Sequence, residues 1–237
     1  MKKFVTISDV HFPFQKEKAI NSVKEFVRNH KVDEIILLGD IVDFYDLSSF
    51  DKNPNRINCL QIELDLVKQF LTSLREENPK AKITYIVGNH EDRLRRYIWS
   101  HTELHTLSCL DLKSLLGLEE LDIQLLDNYT TYGILFTHGS VVRKFSGYSA
   151  KEELTINDCS GISGHTHRLG MVWRSTPSRD MVWIENGCLC DKEQCEYMDR
   201  LPDWQLGFTY GVVDEKGNNP PLLLPIKLQD NGEKILI

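Results

Sequence analysis

The stretch VDEIILLGDIVDF, residues 32–44, decides the fold class of this chain. It begins as an apolar run typical of a buried strand and turns polar at Gly39 and Asp40. Two other runs have the same form, KKFVTISDVH at residues 2–11 and KITYIVGNHEDRL at residues 82–94. We therefore expect three buried strands, each of which ends in polar side chains that can take part in chemistry.

Helical patterns separate these three strands. Apolar residues recur at helical spacing in 16–30, and residues 58–78 form a long amphipathic pattern that Asn78 and Pro79 end. Four later stretches are strand-like: YGILFTHGS at 132–140, CSGISGHTH at 159–167, MVWIENGCL at 181–189 and LGFTYGVVDE at 206–215. Alternating strands and helices followed by strands predict an α/β fold with added β structure.

Two segments depart from this pattern. Residues 92–126 are mostly helical in composition, and we expect a helical insertion over the active-site edge of a single domain spanning residues 1–237. The tail at 218–237 contains prolines unsuited to a central strand. It predicts an edge strand or a packing arm, which would be a contact surface if the chain forms a homo-oligomer.

Composition narrows the functional classes. The chain has 237 residues and a net charge of −7, which argues against a broad basic surface for duplex nucleic acid. Nucleic acid stays open as a substrate, because bound metal ions add positive charge. The sequence has no run of about 18 apolar residues and no signal-peptide core at its start, so we expect a cytoplasmic protein without a membrane span. The six cysteines agree with that setting.

Side chains that can bind metal ions follow five of the expected strands. They are Asp9 and His11, Asp40 and Asp43, Asn89 and His90, His138, and His165 and His167. Each set alone is compatible with a polar turn, but ligands of α/β sheets bind at the carboxyl ends of strands, so all five sets are expected at one edge. Carboxylate, amide and imidazole ligands suit manganese, iron, zinc or nickel. About seven ligands fit two ions that share a carboxylate and clamp a phosphate ester.

These sets lie in five short motifs, DVH at 9–11, GDIVD at 39–43, GNHE at 88–91, THG at 137–139 and GHTH at 164–167. In this order they resemble the calcineurin-like metallophosphoesterase superfamily, in the form of the small phosphoesterases of bacteria and phages. The resemblance covers about the first two thirds of the chain. It implies a four-layer αββα β-sandwich with the site on one edge, and it implies two divalent metal ions, of which manganese is our first expectation.

The resemblance also implies a role for each matching residue. The seven implied ligands are Asp9, His11 and His167 for one ion, Asn89, His138 and His165 for the other, and Asp40 as the bridge between them. His90 would contact the phosphate or protonate the leaving oxygen, the usual acid role of histidine. Asp43 or Glu91 would orient His90 or a ligating histidine.

One departure narrows the substrate. Protein phosphatases of this superfamily carry Arg-Gly after the second motif, whereas this chain has Phe44 and Tyr45, which would stack on a base or pack against the insertion. Arg93 and Arg168 are the expected phosphate contacts, with an ion-paired surface as the alternative. The sequence therefore favours a phosphodiesterase or nuclease acting on nucleotides or nucleic acid. A phosphomonoesterase is the first alternative, and an inert binding scaffold is the second.

Two other groups could bind zinc. His101 and His105 have helical i, i+4 spacing, but no third ligand is obvious and a polar surface is the simpler interpretation. Cys188, Cys190 and Cys195 could join a histidine, or they could be ordinary small residues of a late strand and loop.

Overall fold

The computed structural model describes residues 1–49, 51, 59–194, 202–215 and 221–236. The strands in these ranges are β1 (Lys2–Ile7), β2 (Glu34–Leu37), β3 (Lys82–Ile86), β4 (Ile123–Leu126), β5 (Asn128–Thr131), β6 (Ile134–Thr137), β7 (Ser160–Ser163), β8 (Leu169–Ser175), β9 (Asp180–Asn186), β10 (Gly207–Val213), β11 (Leu222–Leu228) and β12 (Lys234–Leu236). The α-helices are α1 (Glu17–His30), α2 (Leu60–Glu77), α3 (Glu91–Ser100), α4 (Leu112–Leu116) and α5 (Tyr148–Asn157).

The strands form two sheets. The seven-stranded sheet has the order β12-β11-β10-β1-β2-β3-β4, and the five-stranded sheet has the order β5-β6-β7-β9-β8. Strands β1 to β4 run parallel to one another, as do β6, β7 and β9. Parallel neighbours bring their carboxyl ends to the same edge of a sheet, and the polar ends of these strands therefore converge.

The sheets pack face to face through an apolar layer. Phe4 and Ile36 from the first sheet meet Phe136 and Ile184 from the second, and the rings of Phe4 and Phe136 lie edge to face at 5.2 Å. The apolar stripes of α1 and α2 cover the outer face of the first sheet, and α5 covers Trp183 on the outer face of the second. The four-layer αββα sandwich expected from the sequence is confirmed.

The segment at 92–126 is helical only in part. Helices α3 and α4 and two 3-10 turns, Thr102–Leu104 and Ser108–Leu110, match the expected helical character. Its last residues, Ile123–Leu126, form strand β4 and pair with β3, so the expectation of a helical segment up to residue 126 was wrong there. Four residues are too few to show a period, and their pairing with β3 decides their structure.

The tail forms the other end of the same sheet. Strand β11 pairs with β10 on one side and β12 on the other, and β12 is the last strand in the sheet. The expected edge strand is therefore β12, and β11 lies one strand further in although it contains Pro225. Strands β5 and β8, which the sequence did not predict, form the two edges of the second sheet.

None of the helices in the described ranges is long and apolar enough to cross a membrane.

Candidate metal centre

The five sets of predicted ligands meet at the carboxyl edge of the two sheets. Donor atoms of Asp9, His11, Asp40 and His167 all lie within 4.8 Å of one another. This group joins three loops, because Asp9 and His11 follow β1, Asp40 follows β2, and His167 follows β7. The imidazole Nε2 atoms of His11 and His167 are 3.0 Å apart, and both face the same point.

A second group lies beside the first and shares one residue with it. Donor atoms of Asp40, His138 and His165 also lie within 4.8 Å of one another. The amide Oδ1 of Asn89 is 2.9 Å from Nε2 of His138, which brings Asn89 to this second group. Asp40 Oδ2 lies 3.4 Å from His138 Nε2 and 3.8 Å from His11 Nε2. The seven predicted ligands thus form two adjoining groups with Asp40 between them.

The buried carboxylates of the centre are suited to binding metal cations. Asp9 and Asp40 are 0% and 1% exposed. Among the described residues their only charged partners are histidines, so no lysine or arginine neutralises them. Burial raises the pKa of Asp40, but the charge of His138 beside it holds that pKa well below its usual value. Buried ionised carboxylates need nearby positive charge, and divalent ions at these two groups would supply it.

Five of the predicted ligands adopt left-handed backbone conformations. Their φ angles are 52° at Asp9, 54° at His11, 52° at Asp40, 71° at His165 and 58° at His167. Such angles are uncommon for residues other than glycine, and each costs on the order of 1 kcal/mol. Turns of this kind persist only where surrounding groups hold them.

Glu91 holds the turn that carries Asp40. Its buried carboxylate accepts hydrogen bonds from the backbone N–H groups of Asp40 at 2.9 Å, Ile41 at 2.8 Å and Gly88 at 2.7 Å, and from Tyr85 Oη at 2.7 Å. A Cβ atom on Gly88 would collide with the carboxylates of Asp40 and Glu91, so this position needs glycine. The structure therefore shows Glu91 binding the backbone around Asp40, whereas we had expected it to orient a histidine.

Glu185 holds the turn that carries His165 and His167, and the sequence analysis did not find it. Its carboxylate accepts from Thr166 Oγ1 at 2.8 Å and from the backbone N–H of Gly147 at 2.5 Å. The backbone N–H of His165 donates to Asp9 Oδ2 at 3.0 Å, which links this turn to the first sheet. The available signal was a charged residue inside the apolar strand MVWIENGCL, because buried carboxylates require donors.

Asn186 joins the two sheets directly behind the centre. It lies at the end of β9 and is fully buried. Its Oδ1 accepts from Thr6 Oγ1 at 2.5 Å, and its Nδ2 donates to Ser8 Oγ at 3.0 Å. Both partners belong to the segment that leads to Asp9, so this joint connects the two sheets next to the centre.

Second hydrogen bonds orient the ligating histidines. Asp43 Oδ2 lies 3.1 Å from Nδ1 of His11, and the carbonyl oxygen of Leu38 lies 2.8 Å from Nδ1 of His138. Both contacts favour a proton on Nδ1 and leave Nε2 free for a metal ion. Asp43 thus lies where the orienting role proposed for it from the sequence requires.

His90 and Arg93 lie beside the two ligand groups. Nδ1 of His90 is 2.8 Å from the carbonyl oxygen of Asp43, and its Nε2 is 3.0 Å from Nη2 of Arg93. A guanidinium group only donates, so Nε2 is the acceptor and Nδ1 carries the proton. Burial lowers the pKa of His90 to about 3, aided by the charges of His11 and Arg93 and opposed by Asp40 and Asp43. His90 is therefore a neutral ring in this arrangement.

Arg168 points to a neighbouring loop. Its Nη1 donates to the carbonyl oxygen of Arg143 at 2.7 Å, and its Nε lies 3.7 Å from a carboxylate oxygen of Asp203. Arg93 lies at the predicted centre, where its Nη1 is 3.5 Å from a carboxylate oxygen of Asp43, and its contact with substrate stays a prediction. Arg168 fastens the loop that comes after His138. Its contact with substrate stays a prediction.

Phe44 and Tyr45 are both buried, at 1% and 8% exposure. The backbone N–H of Phe44 donates to Glu63 Oε2 at 2.7 Å, and its ring is part of the core beneath α2. Packing, the second of the two roles considered for these rings, describes them in this structure.

The late cysteines lie behind His167. Cys188 and Cys190 are each 1% exposed, and Cys190 Sγ is 3.9 Å from Nδ1 of His167. The indole of Trp204, which the sequence analysis did not single out, also contacts His167, with ring centroids 4.1 Å apart. Donor atoms of Cys188, Cys190 and His167 lie within 4.8 Å of one another, so the structure brings two of the cysteines to a histidine as the zinc alternative requires, and His167 also belongs to the first ligand group. Cys195 lies outside the described residues.

His101 and His105 do not form a second centre among the residues that the structure describes. The ring of His101 stacks on Tyr97 at 4.3 Å, and neither histidine belongs to a group of three possible ligands.

Comparisons with known proteins show the family to which the chain belongs. Residues 2–169 match the family described as calcineurin-like phosphoesterase, and the chain belongs to that family. It is 26% identical to the Gene 54 protein of Mycobacterium phage D29 over 242 residues, which cover 95% of this chain and 94% of the phage protein. Among solved structures, Vps29 of Chaetomium thermophilum superposes with a TM-score of 0.54 at 12% identity, covering 100% of this chain and 96% of that one. The second similarity supports the fold alone.

Proposed function

We propose that this chain hydrolyses phosphate esters with the help of two divalent metal ions, manganese being the first candidate, and that its substrates are phosphodiesters of nucleotides or nucleic acid. The observation that carries the proposal is the position of Asp40. Its carboxylate belongs to both ligand groups, as a bridge between two ions requires. Two bridged ions can stabilise both the attacking and the leaving oxygen of a phosphate ester.

The two groups of donor atoms support the division of ligands that the family resemblance implied. Asp9, His11 and His167 would hold one ion, while Asn89, His138 and His165 would hold the other. When bound, the ions would supply positive charge that activates water and neutralises the phosphate. The protein fixes the separation of the two groups through the turns that Glu91 and Glu185 hold.

Arg93 and His90 would act on the substrate. Arginine binds phosphate through parallel N–H groups, and Arg93 already lies at hydrogen-bond distance from His90. An incoming phosphate would compete with Nε2 of His90 for the guanidinium group. Release of Nε2 would let it take up a proton from water, a step that the adjacent phosphate charge favours, and the protonated ring would then bind the phosphate or give that proton to the leaving oxygen, the role expected from the sequence.

The preference for diesters rests on the residue after Asp43. Phe44 fills the position of the arginine that protein phosphatases of this superfamily carry, and it is buried in the core. A phosphomonoesterase of small molecules stays the first alternative. An inert scaffold is the second, and the full set of seven ligands with their holding partners argues against it, because a scaffold has no use for strained turns around buried carboxylates.

Hydrolysis of two aryl phosphates tests the proposal. The chain would be stripped with a chelator, reloaded with Mn²⁺ and assayed on bis-p-nitrophenyl phosphate and p-nitrophenyl phosphate. We expect faster hydrolysis of the diester, lost in Asp40→Asn and kept in Asp127→Asn, an exposed aspartate at the end of β4. A preference for the monoester would favour a phosphatase. If neither ester is hydrolysed and no metal is retained, the scaffold alternative gains support.

A further inference from the structure

The loop at residues 140–148 is an exposed surface beside the metal centre that the proposed reaction does not use. It begins two residues after His138 and ends at the first residue of α5. Val142, Phe145 and Tyr148 are 54%, 49% and 59% exposed. Arg143 and Lys144 are exposed between them. We call this segment the basic–aromatic loop.

The charge of the loop is unusual for this chain. The protein carries 35 acidic residues and a net charge of −7. No aspartate or glutamate occurs between Asn128 and Lys151, and this stretch contains Arg143, Lys144 and Lys151. Lys144 forms no ion pair among the residues that the structure describes, and Arg143 meets only the half-exposed Glu152, at 3.6 Å. The loop itself thus carries two cations and no carboxylate, although Glu152 and Glu153 of α5 lie beside it.

The backbone of the loop is fixed although its side chains are exposed. The buried carboxylate of Glu153 accepts from the N–H groups of Ser140 at 3.1 Å and Val141 at 3.2 Å. The N–H of Arg143 donates to Ser149 Oγ at 2.9 Å, and its carbonyl oxygen accepts from Arg168 at 2.7 Å. Because Arg168 is the neighbour of His167 in the chain, this last bond ties the loop to the metal centre.

The rings of the loop are arranged for contact. Phe145 and Tyr148 lie edge to face with centroids 5.5 Å apart, and Nζ of Lys144 is 5.2 Å from the Phe145 centroid. Exposed rings next to cations suit single-stranded nucleic acid, since each unpaired base offers a face for stacking and each phosphate offers a charge. A duplex hides its bases and demands a broader basic surface, which a chain of net charge −7 does not offer.

We propose that the basic–aromatic loop binds single-stranded nucleic acid next to the phosphate that the metal centre cleaves. Bases stack on Phe145 and Tyr148, while Arg143 and Lys144 contact flanking phosphates. This proposal rests on the proposed function and specifies its substrate class.

Binding of a labelled strand tests it. The Mn²⁺-loaded protein would be titrated into a fluorescein-labelled oligothymidylate with phosphorothioate linkages, which slow cleavage, and anisotropy would be recorded. Loss of one stacked ring weakens binding by roughly 5- to 100-fold, so we expect that effect in Phe145→Leu and Tyr148→Leu, which keep apolar bulk. Trp173→Leu is the matched control, because Trp173 is 60% exposed but lies in the far half of β8.

Salt dependence tests the cations separately. In Arg143→Ala and Lys144→Ala the slope of log affinity against log salt should fall by roughly 0.7 for each lost phosphate contact on a single strand. Unchanged affinity and unchanged slope in all four variants would overturn the proposal. Stronger binding of the Mn²⁺-loaded protein to vesicles that contain anionic lipids than to the oligonucleotide would overturn it too.

Hydrolysis of bis-p-nitrophenyl phosphate separates the two proposals. This small diester has no neighbouring bases, so the four loop variants should hydrolyse it at the unaltered rate. Loss of oligonucleotide binding with intact diester hydrolysis supports the loop proposal. If the loop variants keep both diester hydrolysis and oligonucleotide binding, only the loop proposal is refuted. If the unaltered protein does not hydrolyse the diester, the proposed function is refuted.

Discussion

The two sheets supply different chemistry to the same centre. The loops after β1, β2 and β3 carry the carboxylates of the two ligand groups, Asp9 and Asp40, together with the orienting Asp43 and the amide of Asn89. The loops after β6 and β7 supply only imidazoles, from His138, His165 and His167. Each proposed ion takes ligands from both sheets. The negative charge of the predicted ligands thus lies in the first sheet. The site is complete only when the second sheet is docked against it.

The largest expected effect on activity comes from substitution of Asp40, the residue of the first sheet that belongs to both ligand groups. Asp40→Asn should lower the affinity for both metal ions. It should also lower the rate of diester hydrolysis by roughly a thousandfold, because charge stabilisation by the ions accounts for several kcal/mol. Metal content per chain and kcat would be measured together, with Asp127→Asn as the control. Two firmly bound ions in Asp40→Asn would contradict its role as the bridge.

Removal of His90 should affect chemistry without affecting metal content. His90→Ala is expected to keep both ions and to lose roughly 100- to 10,000-fold in rate on a diester with a poor leaving group, the range for a lost acid. The loss on an activated aryl ester should be smaller, because that leaving group needs little protonation. A protein without metal would show that His90 is a ligand.

Substitution of a histidine from the second sheet should lower the affinity for one metal ion only. His165→Ala is expected to retain about one ion per chain, because its imidazole belongs to one ligand group whereas Asp40 belongs to both. Elemental analysis after gel filtration would measure this, with His101→Ala as the control. Equal loss of both ions would mean that the two groups are not independent.

The orienting contact in the first sheet should have a moderate effect. Asp43→Asn removes the charge that lies 3.1 Å from Nδ1 of His11. Loss of such a partner typically weakens metal affinity by roughly 10- to 100-fold. Titration against a competing chelator would measure it. An unchanged affinity would show that the orientation of His11 is set by packing alone.

The joint between the sheets should have the smallest effect on activity and a measurable one on stability. Asn186→Ala leaves the buried hydroxyls of Thr6 and Ser8 without this partner, which costs about 1–3 kcal/mol in the free energy of unfolding. Urea denaturation would measure it against Asn128→Ala, an exposed asparagine in β5. A change in the free energy of unfolding no larger than that of Asn128→Ala would show that Asn186 does not stabilise the contact between the two sheets.

Several features of the site could not be predicted from the sequence. Glu91 appeared to be a partner for a histidine, yet its carboxylate binds the N–H groups of Asp40 and Ile41, which lie 51 and 50 residues away in the chain. Asn186 bonds Thr6 across 180 residues. Such partners depend on how the loops approach each other in space. No local pattern encodes that approach.

By itself the sequence determined which residues stand at the strand ends. Apolar runs that turn polar, repeated at β1, β2, β3, β6 and β7, arise from strand periodicity and from the rule that parallel strands share one carboxyl edge. Tertiary structure alone decided the rest. It turned Arg168 toward the basic–aromatic loop, buried Phe44 and made β4 a strand, because hydrogen-bond partners and burial are properties of packed neighbours and not of residues in a row.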